Sequence, residues 1–354
     1  MSSVTSGSAS AVQPKPTSHR RGCLFYVKRG LLTLATLLIA LPIVGMVYQA
    51  IATENDRRAY PAPGQMVDVG GYSLHIHCIG EGRPTVILDA GGGFTSSSWG
   101  WIQPDIAQNT RVCTYDRAGW GWSDPSPVGY DARQNAAELH ILLANAGIAP
   151  PYVLVGHSLG GLYDRVYAQQ YPDEVVGLVQ IDASHPDAWR RLDTREGAGV
   201  DPQLLAIGPF ASRLGLLRLM DVTSADSEVS GQLPGHEERA MRAFFATVQF
   251  AESAQKFDEA LPVILEQARV ITSLGDVPLV VLTTGDRDEL SPEENRTLQE
   301  MQRELQSISA NSIYIAVEGA THISLVHNQD HARLTADAIR QVIEAIHTNS
   351  PLAE

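Results

Sequence analysis

The sequence predicts an α/β architecture: a mostly parallel, eight-stranded sheet with helices on both faces and a helical insertion late in the chain. Two observations carry that prediction. Short apolar runs of strand length alternate with helical patterns from Thr85 to Ile181 and again from Pro278 to His347, and such alternation implies right-handed crossovers between parallel strands. One of these runs, Val153 to Val155, breaks at once into Gly156-His157-Ser158-Leu159-Gly160-Gly161, and a helical pattern follows from Leu162 to Gln170. This is the G-x-S-x-G pattern in the strand–turn–helix context that gives it meaning. The turn is too tight for side chains two residues either side of the serine, and it leaves Ser158 standing at the carboxyl end of a sheet.

The amino-terminal part is set apart by charge and composition. Up to Ala52 the chain carries Lys15, Arg20, Arg21, Lys28 and Arg29 and no acid, so the net charge of −14 leaves −19 for the remainder. An acidic body without a basic patch argues against nucleic acid as a partner. Residues 1–30 read as a disordered basic tail rich in Ser, Thr, Ala and Pro toward its start. Leu31 to Tyr48 is then eighteen residues without a charge, about the minimum for a spanning helix, and a transmembrane segment is placed over 31–51. Basic residues precede it while Glu54 and Asp56 dilute Arg57 and Arg58 after it, which puts the amino terminus in the cytoplasm and the body across the membrane. Ala50-Ile51-Ala52 also fits a signal-peptide cleavage pattern, but the apolar run is longer than a signal core, so an uncleaved anchor is the favoured reading and secretion after cleavage near Ala52 the alternative.

Residues 52–63 read as a linker, 64–183 as the first half of a core, 184–277 as a helical lid and 278–348 as the second half. Met66 to Val69 and Tyr72 to Ile79 form two strands around Gly70-Gly71. Thr85 to Asp89 is a third, running into Ala90-Gly91-Gly92-Gly93-Phe94, where backbone must approach something closely. Arg111 to Tyr115 is a strand before the Gly-rich loop Asp116 to Ser123, whose glycines are read as shaping a turn. Asp131 to Ala146 is a helix ended by Gly147, and Val175 to Ile181 a strand. The lid is helical throughout, with stretches at Gln203 to Met220, Glu237 to Phe257 and Leu261 to Leu274. The core resumes with a strand at Pro278 to Thr283, a helix at Pro292 to Ile308, a strand at Ser312 to Val317 and a closing amphipathic helix at Asp330 to His347.

A serine hydroxyl needs a base within reach, itself oriented by a carboxylate. The strand ending at Thr283 leads into Thr284-Gly285-Asp286-Arg287-Asp288, and the strand ending at Val317 into Glu318-Gly319-Ala320-Thr321-His322. Both loops leave the same sheet edge as Ser158, and the chain order is Ser, Asp, His. On these motifs the chain resembles α/β-hydrolase-fold proteins from about Gln65 to His347. The resemblance implies Asp288, three residues after the glycine, rather than Asp286 as the catalytic acid, with Asp182 after the preceding strand as a weaker alternative. His322 is the base ahead of His327 and His331, and the backbone N–H groups of Leu159 and Gly92 form the oxyanion hole. One departure is that Ala90 stands where the family's loop usually has His.

Serine as nucleophile argues against the Asp-dependent epoxide hydrolases and haloalkane dehalogenases and implies an acyl-enzyme. The expected function is therefore a membrane-anchored hydrolase of carboxylic esters acting on a small-molecule acyl substrate through a catalytic triad; acyl transfer, peptidase activity or a silent binding scaffold are the alternatives. No cofactor or metal is expected, since the histidines and cysteines lack metal-ligand spacing. Cys78 and Cys113 fall on strands that the family's order makes neighbours, as a disulfide or as two buried thiols, while Cys23 is read as a free thiol. Substrate choice falls to the lid, where Leu204, Leu205, Phe210, Leu216, Leu217, Phe244, Phe245 and Phe250 either line an acyl pocket or pack the lid itself.

Overall fold

A computed structural model describes residues 22–192, 202–220, 230–287 and 290–352. The chain divides into one unit ending at Val44 and a second running from Gly45 to the carboxyl end. From Cys23 on, the first unit is helix, the opening part of α1 (Cys23–Ala59). By length and composition α1 is able to cross a membrane. It does not stop where the linker was expected: residues 52–59 are helical, because no Gly or Pro interrupts them and Glu54 pairs with Arg58 one turn on.

In the second unit the strands β1 (Gln65–Asp68), β2 (Ser73–Ile79), β3 (Thr85–Asp89), β4 (Val112–Tyr115), β5 (Tyr152–His157), β6 (Val175–Ile181), β7 (Leu279–Thr284) and β8 (Ser312–Val317) form one sheet in the order β1-β2-β4-β3-β5-β6-β7-β8. The first two run antiparallel to their neighbours and the rest are parallel. Because side chains alternate along a strand, each strand feeds two cores. Val153 and Val155 point to the face covered by α2 (Ile102–Ile106) and α12 (Gln329–Thr348), where Ile106, Ile339 and Val342 pack. Leu154 points to the other face, under α3 (Ala132–Asn145) and α4 (Gly160–Gln170), with Leu139, Leu142 and Leu162. Asp131 begins α3 by accepting from the N–H groups of Arg133 and Gln134, as an N-cap should.

The stretch read from the sequence as a lid, between β6 and β7, comprises α5 (Ala188–Arg191), α6 (Pro202–Arg213), α7 (Leu216–Leu219), α8 (Gly235–Phe245) and α9 (Val248–Arg269); α10 (Pro292–Gln306) lies between β7 and β8, and α11 (Ser324–His327) follows β8. The stretch expected as one helix over Gln203 to Met220 breaks at Gly215, whose φ of +73° only glycine adopts freely. The stretch Glu237 to Phe257 also breaks, at Thr247, whose hydroxyl caps α9 by accepting from the Phe250 N–H. Conversely, Pro262 does not end a helix. It lies inside α9 on an exposed side, where the carbonyl it leaves without an intrahelical partner faces solvent.

Cys78 and Cys113 face each other across the antiparallel β2/β4 pair and are joined in a disulfide, Cα to Cα 4.0 Å. The link closes a separation of 35 residues, and a cross-link of that span stabilises a fold by about 2–4 kcal/mol, mainly by restricting the unfolded chain. Replacing both cysteines with alanine is therefore expected to lower the unfolding free energy by that amount, read as a lower urea midpoint; an unchanged midpoint would show that the bond contributes nothing.

Candidate active site

The serine turn is built as the sequence requires. Ser158 has φ +54°, a conformation costly for a residue with a Cβ. It is held there by its N–H donating to the Ile181 carbonyl (3.0 Å) and by its carbonyl accepting from the Ser184 N–H (2.9 Å). A Cβ at Gly156 would stand 2.4 Å from the Gly161 nitrogen, and one at Gly160 would stand 2.3 Å from the Asp89 carbonyl oxygen. Both glycines are thus required by contact, not merely by flexibility. Ser158 is buried, 7% exposed.

His322 follows β8 and its Nδ1 lies 2.5 Å from Asp182 Oδ2. A carboxylate can only accept, so Nδ1 carries the proton and Nε2 is left as the basic atom. Asp182 stands one residue past β6 with φ +41° and is itself strongly held. It accepts from Thr283 Oγ1 (2.5 Å) and from the Arg287 guanidinium (2.5 Å). Burial pushes its carboxyl up, but the Arg287 charge and then the His322 hydrogen bond outweigh this and hold it well below the usual carboxylate range. Asp288 lies outside the described residues, so the carboxylate that the structure brings to His322 is Asp182, the residue ranked second on sequence grounds. Asp286 is exposed.

The serine turn and the histidine loop are tied together by His157, whose Nε2 donates to the His322 carbonyl at 2.9 Å and whose ring lies 4.6 Å from that of His322. No hydrogen bond joins Ser158 Oγ to His322 among the described residues, a pairing that in such sites often tightens only around substrate. His331 is engaged with Ser324 (2.8 Å), and His327 is buried with its ring edge-on to Phe94.

The loop after β3 meets the serine turn directly. A Cβ at Gly91 would stand 3.3 Å from Ser158 Cβ, and one at Gly92 would stand 2.4 Å from the Leu159 side chain. Among the described residues the backbone N–H groups of Gly92 and Leu159 have no protein acceptor. Arg117, from a loop read as only a turn, is what shapes this segment. Its guanidinium pairs with Asp89 and donates to the carbonyls of Ala90 (2.6 Å) and Gly91 (2.7 Å). No periodicity marks such a residue; the signal was an arginine in a loop whose strand neighbour β3 ends in a buried Asp.

Aromatic side chains cover the site. Phe244, Phe250 and Phe257 surround Trp120 at ring distances of 6.3, 5.8 and 6.2 Å, and Phe245 meets Phe94 at 6.1 Å. The Phe257 ring reaches the Gly92 segment, 3.7 Å from where a Cβ would stand. Of the lid residues singled out in the sequence, Phe244, Phe245 and Phe250 join this cluster, whereas Phe210 and Leu216 face outward. The side chain of Leu204 lies outside the described residues. A cavity of about 850 Å³ opens elsewhere, between the carboxyl end of α1, Trp122 and Phe244, and does not touch Ser158 or His322.

Burial, followed by the charge of His322, pushes His157 well below the ordinary imidazole value, and the same two causes lower His327 to about 3. In the unfolded chain both protonate near pH 6.5. Between pH 6.5 and the folded values the unfolded state therefore binds more protons, and the stability present above pH 6.5 is lost as pH falls, by about 1.4 kcal/mol per unit per histidine. His327→Gln is expected to flatten the slope of unfolding free energy between pH 6 and pH 4 by about one histidine's share. An unaltered slope in denaturant titrations would contradict a neutral, buried His327.

A model of the alpha/beta hydrolase family matches residues 86–338, well over half of the sequence, and the chain belongs to that family. Among its relatives is YqjL, an uncharacterized protein of Bacillus subtilis (strain 168), 26% identical over 264 residues that cover 74% of this chain and 86% of that one. The chain spans about half, or less, of the length of several other curated relatives that it matches. Among solved structures it resembles a haloalkane dehalogenase DbeA-M1 loop variant from Bradyrhizobium elkanii, with a TM-score of 0.60 at 19% identity over 80% of this chain and 97% of that one. It also resembles a thermophilic esterase from Thermogutta terrifontis, with a TM-score of 0.55 at 20% identity over 80% and 98%. At such identities the likeness carries the fold and not the reaction.

Proposed function

We propose that the chain is a serine hydrolase of carboxylic esters working through an acyl-enzyme, with Ser158 as nucleophile, His322 as base and Asp182, not Asp288, as the carboxylate that orients it. The observation that carries this reading is the Asp182 to His322 Nδ1 hydrogen bond at the same sheet edge as a serine held at positive φ. In the first step Ser158 Oγ attacks the ester carbonyl while its proton passes to His322 Nε2. The oxygen that becomes negative is met by the Gly92 and Leu159 N–H groups, which are fixed before the reaction and need no reorganisation. His322 then returns the proton to the departing alcohol. Water, deprotonated by the same nitrogen, then attacks the acyl-enzyme; the acyl–Oγ bond breaks, the proton returns to Ser158 Oγ and the acid leaves. Asp182 keeps its negative charge throughout and stabilises the imidazolium that forms.

The dehalogenase likeness does not extend to this chemistry, because attack on a carbon–halogen bond in the Asp-dependent enzymes uses a carboxylate where this chain has Ser158. The reading also places α1 as a membrane anchor with the body outside the cytoplasm. The Cys78–Cys113 disulfide supports that side of the membrane, since such bonds persist in oxidising compartments. A panel of p-nitrophenyl esters of increasing chain length, offered to the full chain in detergent, tests the reaction. Turnover of at least one ester by a folded preparation is expected, and none at any length would contradict it.

A further inference from the structure

We propose that the outward side of α6 and α7 docks into the lipid bilayer that holds α1. The inference takes α1 as a membrane helix and is independent of the reaction at Ser158. It starts from the last turn of the apolar run, Gly45 to Tyr48, which belongs to the same unit as the lid. A Cβ at Gly45 would stand 2.5 Å from the Leu214 carbonyl oxygen, and one at Gly215 would stand 2.9 Å from Tyr48 Cδ1. The lid backbone therefore lies directly on that turn, at a point where a glycine makes room for it.

Polar contacts fix the lid at this level. Gln49 is the buried residue of α1. Its Nε2 donates to the Ala246 carbonyl (2.7 Å) and its Oε1 accepts from Arg218 Nε (3.3 Å). Arg218 also pairs with Asp56 at 2.6 Å. A residue in contact with the turn where a spanning helix leaves the hydrocarbon lies at interfacial depth. On either side of that contact the lid shows exposed apolar side chains: Leu216, Leu219 (67% exposed) and Met220 (72%) on and just after α7, and Ile207 and Phe210 (65%) on α6 before it. Grouped large apolar side chains facing out mark a surface that binds something. The occupant is lipid, because the apolar helix turn that touches this segment is itself built for lipid.

The test uses full-length protein with Cys23→Ser and one reporter cysteine, Cys78 and Cys113 being paired. Leu219→Cys and, as reference, Leu334→Cys on the exposed side of α12 are labelled with an environment-sensitive fluorophore and reconstituted into phosphatidylcholine vesicles. Blue-shifted emission at 219 that is quenched by lipids carrying an acyl-chain nitroxide, with neither effect at 334, is the expected result. Water-like emission at both positions in protein that floats with the vesicles would overturn the docking surface. So would shielding at 219 that nitroxide lipids leave unquenched, which would indicate a protein partner. Failure to float with the vesicles would overturn it by removing α1 as the membrane helix, whatever the esterase result.

Discussion

Ser158→Ala is expected to lower ester turnover by roughly 10⁴–10⁶-fold, leaving only the contribution of substrate binding and the oxyanion donors. The size of the effect follows from the site's division of labour. Without Oγ there is no atom for His322 to activate and no acyl-enzyme to form, while the Gly92 and Leu159 N–H groups stay in place. The substitution removes one buried oxygen that makes no hydrogen bond among the described residues, so unfolding midpoints should barely move. A kcat within tenfold of the unaltered protein would show that another group is the nucleophile.

Asp182→Asn is expected to lower kcat by about 10⁴-fold, because an amide no longer fixes the Nδ1–H tautomer or stabilises the imidazolium. Asp288→Asn is expected to change kcat less than about threefold, because Asp182 already accepts the hydrogen bond from His322 Nδ1. The pair of variants separates the two carboxylates that the sequence offered. Arg287 complicates Asp182→Asn in a known direction: the guanidinium, 2.5 Å from Asp182 Oδ2, would lose its partner while only partly exposed. Some loss of stability should therefore accompany the loss of rate. Activity retained in Asp182→Asn and lost in Asp288→Asn would reverse the assignment.

The contest between Asp182 and Asp288 shows where the sequence stops being legible. Both follow strands that end at the same sheet edge, and β6 and β7 are adjacent, so strand order alone does not choose between them. The choice depends on side-chain reach, on the positive φ of Asp182 and on Arg287 arriving from the neighbouring loop, none of which has a periodic signature. The strands themselves were legible because Val153, Leu154 and Val155 are apolar on both faces, the mark of a strand buried between helix layers. Likewise Gly156 and Gly160 announced a turn that contact then explained. The lid was harder. Its helices break at Gly215 and at Thr247 but run through Pro262, because capping by Thr247 and exposure at Pro262 outweigh the usual punctuation. The disulfide needed the Cys78 to Cys113 register, which fixes pairing only once β2 lies antiparallel beside β4.

The most direct measurement is peptide mapping by mass spectrometry after the full chain, in detergent, is treated with a fluorophosphonate. The account predicts a single covalent adduct on Ser158 that forms quickly in the unaltered protein and much more slowly in His322→Ala and Asp182→Asn. A folded protein that remains unlabelled, or an adduct on any other residue, would contradict it.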